Sequence, residues 1–134
     1  MAKKTQRQRA IQRLDRAWSI IVRFGAVDKH GMVECFTCGK TDTPERMHCG
    51  HFASRRHMCT RWCPDNTRVQ CPKCNLFESG RQFEFGRRLD MEEPGKADRV
   101  FMRARQTCKL PTIEILERAQ LAERQAQDLL RALG

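Results

Sequence analysis

The chain has no tyrosine, and its other aromatic side chains are seven Phe and two Trp in 134 residues. With an apolar share of 40%, that leaves a modest core. A small domain with a thin core often needs a staple, and a structural metal is one. Acidic side chains are scarce as well, 16 against 26 Lys and Arg, for a formal charge of +10. That balance says little about fold but points to an anionic partner, nucleic acid first and a membrane surface as the plainer rival. Long apolar runs are missing. The best, Ala17 to Val22, is far too short to span a membrane. The basic start, Met1 to Arg9, is followed by no apolar stretch of the kind a secretory leader carries. A cytoplasmic protein is expected, where thiols stay reduced.

What the chain has in quantity is cysteine. Eight Cys in a reducing compartment point to metal binding rather than to disulfides. The length suits one domain over 1–134: a basic N-terminal helix (1–30), a metal-stapled core (31–90) and C-terminal helices (91–134). There is no internal repeat and no low-complexity tract.

Residues 5–24 are expected to be helical, because Ile11, Leu14, Trp18 and Ile21 recur at three-four spacing and Gly25 offers a stop. Arg7, Arg9, Arg13, Arg16 and Arg23 decorate this helix, either to grip DNA or as a solvated face. Short strands are expected at Val33–Phe36 and Arg46–Phe52, and a loop over 53–70. A helix from Ser79 to Leu89 should turn Phe83 inward. Ala97, Val100, Phe101, Ala104 and Cys108 form another helical stripe. Thr112 is the expected N-cap of a last helix, whose seam is Ile115, Ala119, Ala122, Ala126, Leu129 and Leu133. Packing of that seam on the first helix is the plain reading, and a homodimer through helices the sharper one.

The strongest signal is Cys35-x-x-Cys38 with Cys71-x-x-Cys74, 32 residues apart. Each such turn brings two thiolates to one metal, and two turns complete a closed tetrahedral zinc site. The long spacer implies a substantial insert held at its base. His57, Cys59 and Cys63 have the makings of a second site, but three loop side chains is the simpler account. Cys49 and Cys108 read as small buried apolar residues.

The insert holds His48, His51 and Asn66, and Asn75 follows the last zinc cysteine. Phosphodiester hydrolysis needs a base to activate water, a cation for the developing charge, and groups that position the phosphate. A neutral His at a strand end can be the base, and an Asn at a helix start can help hold a hard cation. Singly, each residue has a plain alternative: a zinc or core histidine for His51, a turn residue for Asn66, a helix cap for Asn75.

Taken together, Cys35-Phe-Thr-Cys38-Gly39, Gly50-His51-Phe52, Arg61-Trp62, Asn66 and Gln70-Cys71-Pro-Lys-Cys74-Asn75 with Ser79-Gly80 resemble an HNH endonuclease of the ββα-metal class. The nearer resemblance is to the phage NinG/Rap recombination endonuclease family. It covers roughly residues 35–80. It implies an α+β fold, a small zinc-bound ββα-metal (HNH-like) core flanked by N- and C-terminal helices. It also implies His51 as general base, Asn66 as the residue that orders the loop and so orients the base, and Asn75 as a ligand of a catalytic Mg²⁺ or Mn²⁺. His48 stands where relatives carry Asp. An imidazole there suits softer ions than Mg²⁺. Arg81 stands where relatives tend to have Asn, and no catalytic role attaches to it. The implied substrate is branched DNA such as Holliday junctions or D-loops, cut to 5′-phosphate and 3′-hydroxyl ends.

Arg55, Arg56, Arg61, Arg68 and Lys73 surround this stretch and are the expected phosphate contacts. Trp62 among them either stacks on a base or anchors the core. No base-reading helix stands out, which suits recognition of DNA shape. Two competing readings use the same residues: a non-catalytic zinc module that binds DNA or RNA, and an adaptor whose terminal helix seam binds a protein.

Overall fold

The computed structural model describes residues 2–134 and shows a mixed α+β chain with two small antiparallel sheets. Helix α1 spans Gln6–Phe24. Its start is set by a capping box: Thr5 Oγ1 accepts from the Gln8 backbone N–H at 3.0 Å, and the Gln8 side chain accepts from the Thr5 N–H at 2.8 Å. Strands β1 (Val33–Glu34) and β2 (Thr41–Asp42) make a hairpin. Strands β3 (His48–His51) and β4 (Thr67–Gln70) pair antiparallel, His48 with Gln70 and His51 with Thr67. Helices α2 (Gln82–Glu92), α3 (Lys96–Ala104) and α4 (Thr112–Leu133) follow.

Three apolar clusters hold these parts. Ala10, Leu14 and Ala17 of α1 pack against Ile115, Ala119 and Ala122 of α4, with Leu110 beside them. The alanines let the two helix backbones approach closely. Leu129 is only half-buried and Leu133 is exposed, so the seam ends one turn early. This seam is covered by α1, and a homodimer would need another surface. Val33, Met47 and Val69 pack around Cys35, Cys71 and Cys74. Phe85, Leu89 and Ala97 form the third cluster, with Phe36 and Phe52 against it.

Several expectations are corrected. The expected loop over 53–70 ends in strand β4, where Thr67, Val69 and Gln70 are buried and Arg68 is half-buried, so burial does not alternate strictly. Four residues, three of them buried, leave no period to read. The helix after the second cysteine pair begins at Gln82, not Ser79. Ser79, Gly80 and Arg81 all have positive φ (53°, 82° and 48°), which no α-helix tolerates. The phase shifts accordingly: Phe85 and Leu89 are fully buried and Phe83 is 84% exposed. Helix α3 stops at Ala104, so Phe101 is half-exposed and Cys108 lies beyond the stripe. Pro111, not Thr112, is the N-cap of α4; its carbonyl accepts from Glu114 and Ile115. Cys49 and Cys108 are only half-buried. Among the described residues no helix is long and apolar enough to cross a membrane.

Candidate metal centre and adjoining histidine cleft

The four cysteines of the two C-x-x-C pairs are brought together. Cys35 to Gly39 is a tight knuckle: the Gly39 N–H donates to the Cys35 carbonyl at 2.9 Å, with Gly39 at φ 82°. The second knuckle runs from Cys71 into a single π-helical turn, Lys73–Phe77, and the Gly80 N–H closes it on the Cys74 carbonyl at 2.8 Å. All four Sγ atoms lie within 4.8 Å of one another. Cys38 Sγ and Cys71 Sγ are 3.7 Å apart. A zinc–thiolate tetrahedron with bonds of about 2.3 Å has edges of about 3.8 Å, so the donor set fits zinc. Burial raises the Cys35 thiol, but the Thr37 hydroxyl and backbone N–H groups outweigh it and bring it down to about 6. Burial, helped by neighbouring thiols, pushes Cys38 up to about 12. Without a cation the four sulfurs cannot all ionise. Among the described residues this is the one His, Cys and carboxylate cluster of metal-binding geometry, so His57, Cys59 and Cys63 do not make a second.

Gln70, buried beneath the site, ties the two knuckles together. Its Nε2 donates to Thr37 Oγ1 at 3.0 Å and to the Gly80 carbonyl at 2.8 Å. Gly50 in β3 gives it room: a Cβ there would meet Gln70 Oε1 at 2.0 Å. Glycine inside a strand marks such a close approach.

Along β3 lies a cleft of 610 Å³ lined by His48, His51, Asn75, Asp15, Arg23 and Arg55, with Ser54 and Gln82 also in its wall. His51 ends β3. Its Nε2 sits 2.9 Å from the Arg61 carbonyl. A carbonyl only accepts, so Nε2 carries the proton and Nδ1 keeps its lone pair. Burial lowers the His51 pKa below the ordinary histidine value and keeps the ring neutral at pH 7.

Asn66 is fully buried and clamps the loop that supplies that carbonyl. Its Oδ1 accepts from the Ala53 N–H at 2.7 Å, and its Nδ2 donates to the carbonyls of Ala53 (3.0 Å) and Thr60 (2.9 Å). Thr60 immediately precedes Arg61. Asn75 Nδ2 lies 3.1 Å from His48 Nδ1. The amide donates, so His48 Nδ1 accepts and the ring's proton sits on Nε2, which leaves the Asn75 Oδ1 as the one free lone-pair atom of this pair. Asp15 is the one carboxylate in the cleft lining among the described residues. It is taken: Arg61 donates to both its oxygens, at 2.9 and 2.6 Å, and Trp62 Nε1 donates to Oδ1 at 2.9 Å. A cation here would take the Asn75 Oδ1, and a nitrogen of His48 only once its bond to Asn75 is given up; an imidazole-tolerant ion such as Mn²⁺ suits that pair better than Mg²⁺, which favours oxygen.

Of the six expected DNA contacts, Arg55, Arg56 and Lys73 are exposed. The other three are engaged within the fold. Arg61 and Trp62 are held by Asp15, and Trp62 packs on the α1–α4 cluster. Arg68 pairs with Glu92 at 2.6 Å, donates to the Pro64 and Thr67 carbonyls, and lies over the Phe36 ring. Half-buried guanidiniums with bidentate or carbonyl partners position the loop rather than meet phosphate.

Two residues of α1 were not among those expected at the site. Asp15 is the only acid on that basic helix, which is a legible signal. Arg23 reaches across to the Pro44 carbonyl at 2.8 Å and lines the cleft beside His48; burial lowers its pKa. Nothing local in the sequence distinguishes it from the other arginines of α1. Comparison with protein families, with curated proteins and with solved structures finds no match to this chain.

Proposed function

We propose that the chain is a metal-dependent DNA endonuclease of HNH type that acts on branched DNA. The observation that carries this reading is the His51 imidazole, half-buried at a strand end with its Nε2–H spent on a backbone carbonyl and its Nδ1 free in a cationic cleft. That is the state a general base requires at neutral pH. His51 Nδ1 takes a proton from water, the hydroxide attacks phosphorus, and the P–O3′ bond breaks. The leaving oxygen takes a proton from solvent, giving 5′-phosphate and 3′-hydroxyl ends. A divalent cation, when bound, would stabilise charge on the leaving 3′-oxygen; the Asn75 Oδ1 would hold it, joined by His48 where the ring gives up its bond to Asn75. Asn66 acts through the loop, keeping the Arg61 carbonyl on His51. Exposed Arg55 supplies positive charge for the phosphate, Arg23, tied to the Pro44 carbonyl, adds only to the field of the cleft, and the zinc cysteines hold the knuckle from which Asn75 projects.

A second reading is favoured by one observation, the absence, among the described residues, of a free carboxylate from the cleft lining. It is a zinc-stabilised nucleic-acid-binding module without catalysis. Cleavage of a labelled four-way junction and its matching linear duplex, with Mg²⁺ or Mn²⁺, separates the two. The zinc-loaded wild type is expected to cut the junction, more readily with Mn²⁺, and His51→Ala with its zinc retained is expected not to. Equal cutting of both substrates would overturn the branched-DNA claim. Salt-sensitive binding without cutting by either protein in either metal would overturn the nuclease.

A further inference from the structure

Beside the histidine cleft lies a second cavity of 540 Å³, lined by Phe52, Ala53, Ser54, Arg56, His57, Gln82, Phe101, Ala104 and Arg105. Most of its lining is apolar, and the two cavities share Ser54 and Gln82 as a common wall. Phe52 follows His51 directly in the chain. Phe101 of α3 is 51% exposed although it is large and apolar. The Arg105 guanidinium stands 5.5 Å from its ring centroid. Arg56 on the opposite wall is exposed and, among the described residues, pairs with no carboxylate.

We infer that this cavity receives one unstacked nucleobase of the strand whose phosphate lies in the histidine cleft. Three features select that occupant. Aromatic faces and a guanidinium plane are the surfaces on which single-stranded bases stack. Arginines flank the apolar floor, which suits an apolar group carried on an anionic backbone. Ser54 and Gln82 line both cavities, so a strand with its phosphate in the histidine cleft has this cavity directly beside it. Arg105 is drawn onto the Phe101 ring, and the surface available to a base is mostly apolar, so stacking rather than base-edge hydrogen bonding holds the base and the pocket takes any base. A paired base inside a duplex cannot enter. DNA with an unpaired or splayed base at a branch can, which is a physical source of preference for branched substrates. The inference deepens the endonuclease reading and rests on DNA occupying that cleft.

The test uses the full zinc-loaded chain and a binding readout as well as a cleavage readout. The probes are a duplex with a single 2-aminopurine bulge, whose fluorescence reports stacking, and the same duplex fully paired. Binding is measured in a His51→Ala background so that no substrate is consumed. Phe101→Ala, on the surface of α3, is expected to weaken bulge binding by about tenfold and to restore 2-aminopurine fluorescence, with fully paired duplex bound as before. Phe101→Trp is expected to keep the affinity and the quenching. Equal bulge binding by Phe101→Ala and its parent, or an equal loss on both DNAs, would overturn the pocket. Junction cutting by wild type alongside a silent Phe101→Ala would overturn the pocket and leave the nuclease standing. No cutting by wild type, with bulge-selective loss in Phe101→Ala, would overturn the nuclease and leave the pocket standing.

Discussion

Replacing Asn66 tests whether the loop that holds His51 is clamped by one side chain. Asn66→Ala removes three hydrogen bonds at 2.7, 3.0 and 2.9 Å and leaves the Ala53 N–H and the Ala53 carbonyl without partners, while the Thr60 carbonyl keeps only the Cys63 N–H at 3.2 Å. Each bond contributes about 1 kcal/mol net, and a buried group left unpaired costs about 1–3 kcal/mol. Water entering an opened loop recovers part of that, so the expected loss is about 3–5 kcal/mol. Against a domain stability of about 5–15 kcal/mol, the loop opens before the α1–α4 pair does. Asn66→Asp keeps the acceptor for Ala53 but turns the donor into an oxygen facing two carbonyls. Its carboxyl would titrate above the ordinary Asp value in the folded state. The folded state then binds the proton more tightly, so this variant gains stability as the pH falls towards about 4. Hydrogen exchange is the assay. The backbone amides of His57, Thr60 and Cys63 bond within the loop and touch no Asn66 atom, so they report opening rather than the lost bonds themselves. Their exchange should accelerate by about 10²-fold or more while α1 and α4 amides change little. A variant within about 1 kcal/mol of wild type in urea, with loop exchange unchanged, would refute the clamp.

Gly50→Ala should cost about 2–4 kcal/mol in urea unfolding, because Gln70 cannot yield to the new Cβ without giving up its bonds to Thr37 and Gly80. A loss under about 0.5 kcal/mol would mean that β3 and β4 can separate freely. Burial lowers the His51 pKa, so the folded state holds fewer protons than the unfolded one. Stability from this group is therefore flat above about pH 6.5 and falls below it, and the wild-type urea midpoint should drop more between pH 7 and 5.5 than that of His51→Gln. Nitrogen NMR should find the ring neutral at pH 7 with the proton on Nε2, and a protonated ring there would contradict the carbonyl contact. Chelation should lower the thermal midpoint and abolish cooperative melting of the β-strand half, while circular dichroism retains the helical signal of the α1–α4 pair. Cys38→Ser should act in the same direction with zinc release seen by native mass spectrometry.

The parts legible in the sequence are those where one local rule acts alone. The periodicity of Ile11, Leu14, Trp18 and Ile21 marks α1, and its capping box marks the start. The four cysteines announce their own geometry because two C-x-x-C turns on one metal leave the chain little choice. Strand β4 was illegible because it is short and its burial does not alternate strictly, and the start of α2 because three consecutive positive φ values depend on Gln70 and Cys74 holding the turn. Charge misled for a similar reason. Arg61 and Arg68 look like free cations in a basic stretch, and only folding brings Asp15 and Glu92, which are 46 and 24 residues away, onto them.

The sequence by itself therefore determined the four cysteines that could hold a metal, the long helices and the excess of positive charge, since each follows from residue type and spacing. The tertiary structure decided which nitrogen of His51 is free, which arginines face solvent, and that an apolar cavity adjoins the histidine cleft. Those depend on a carbonyl of Arg61, a carboxylate on α1 and two phenylalanines 49 residues apart meeting in space, Phe52 and Phe101, and no local pattern encodes a meeting of that kind.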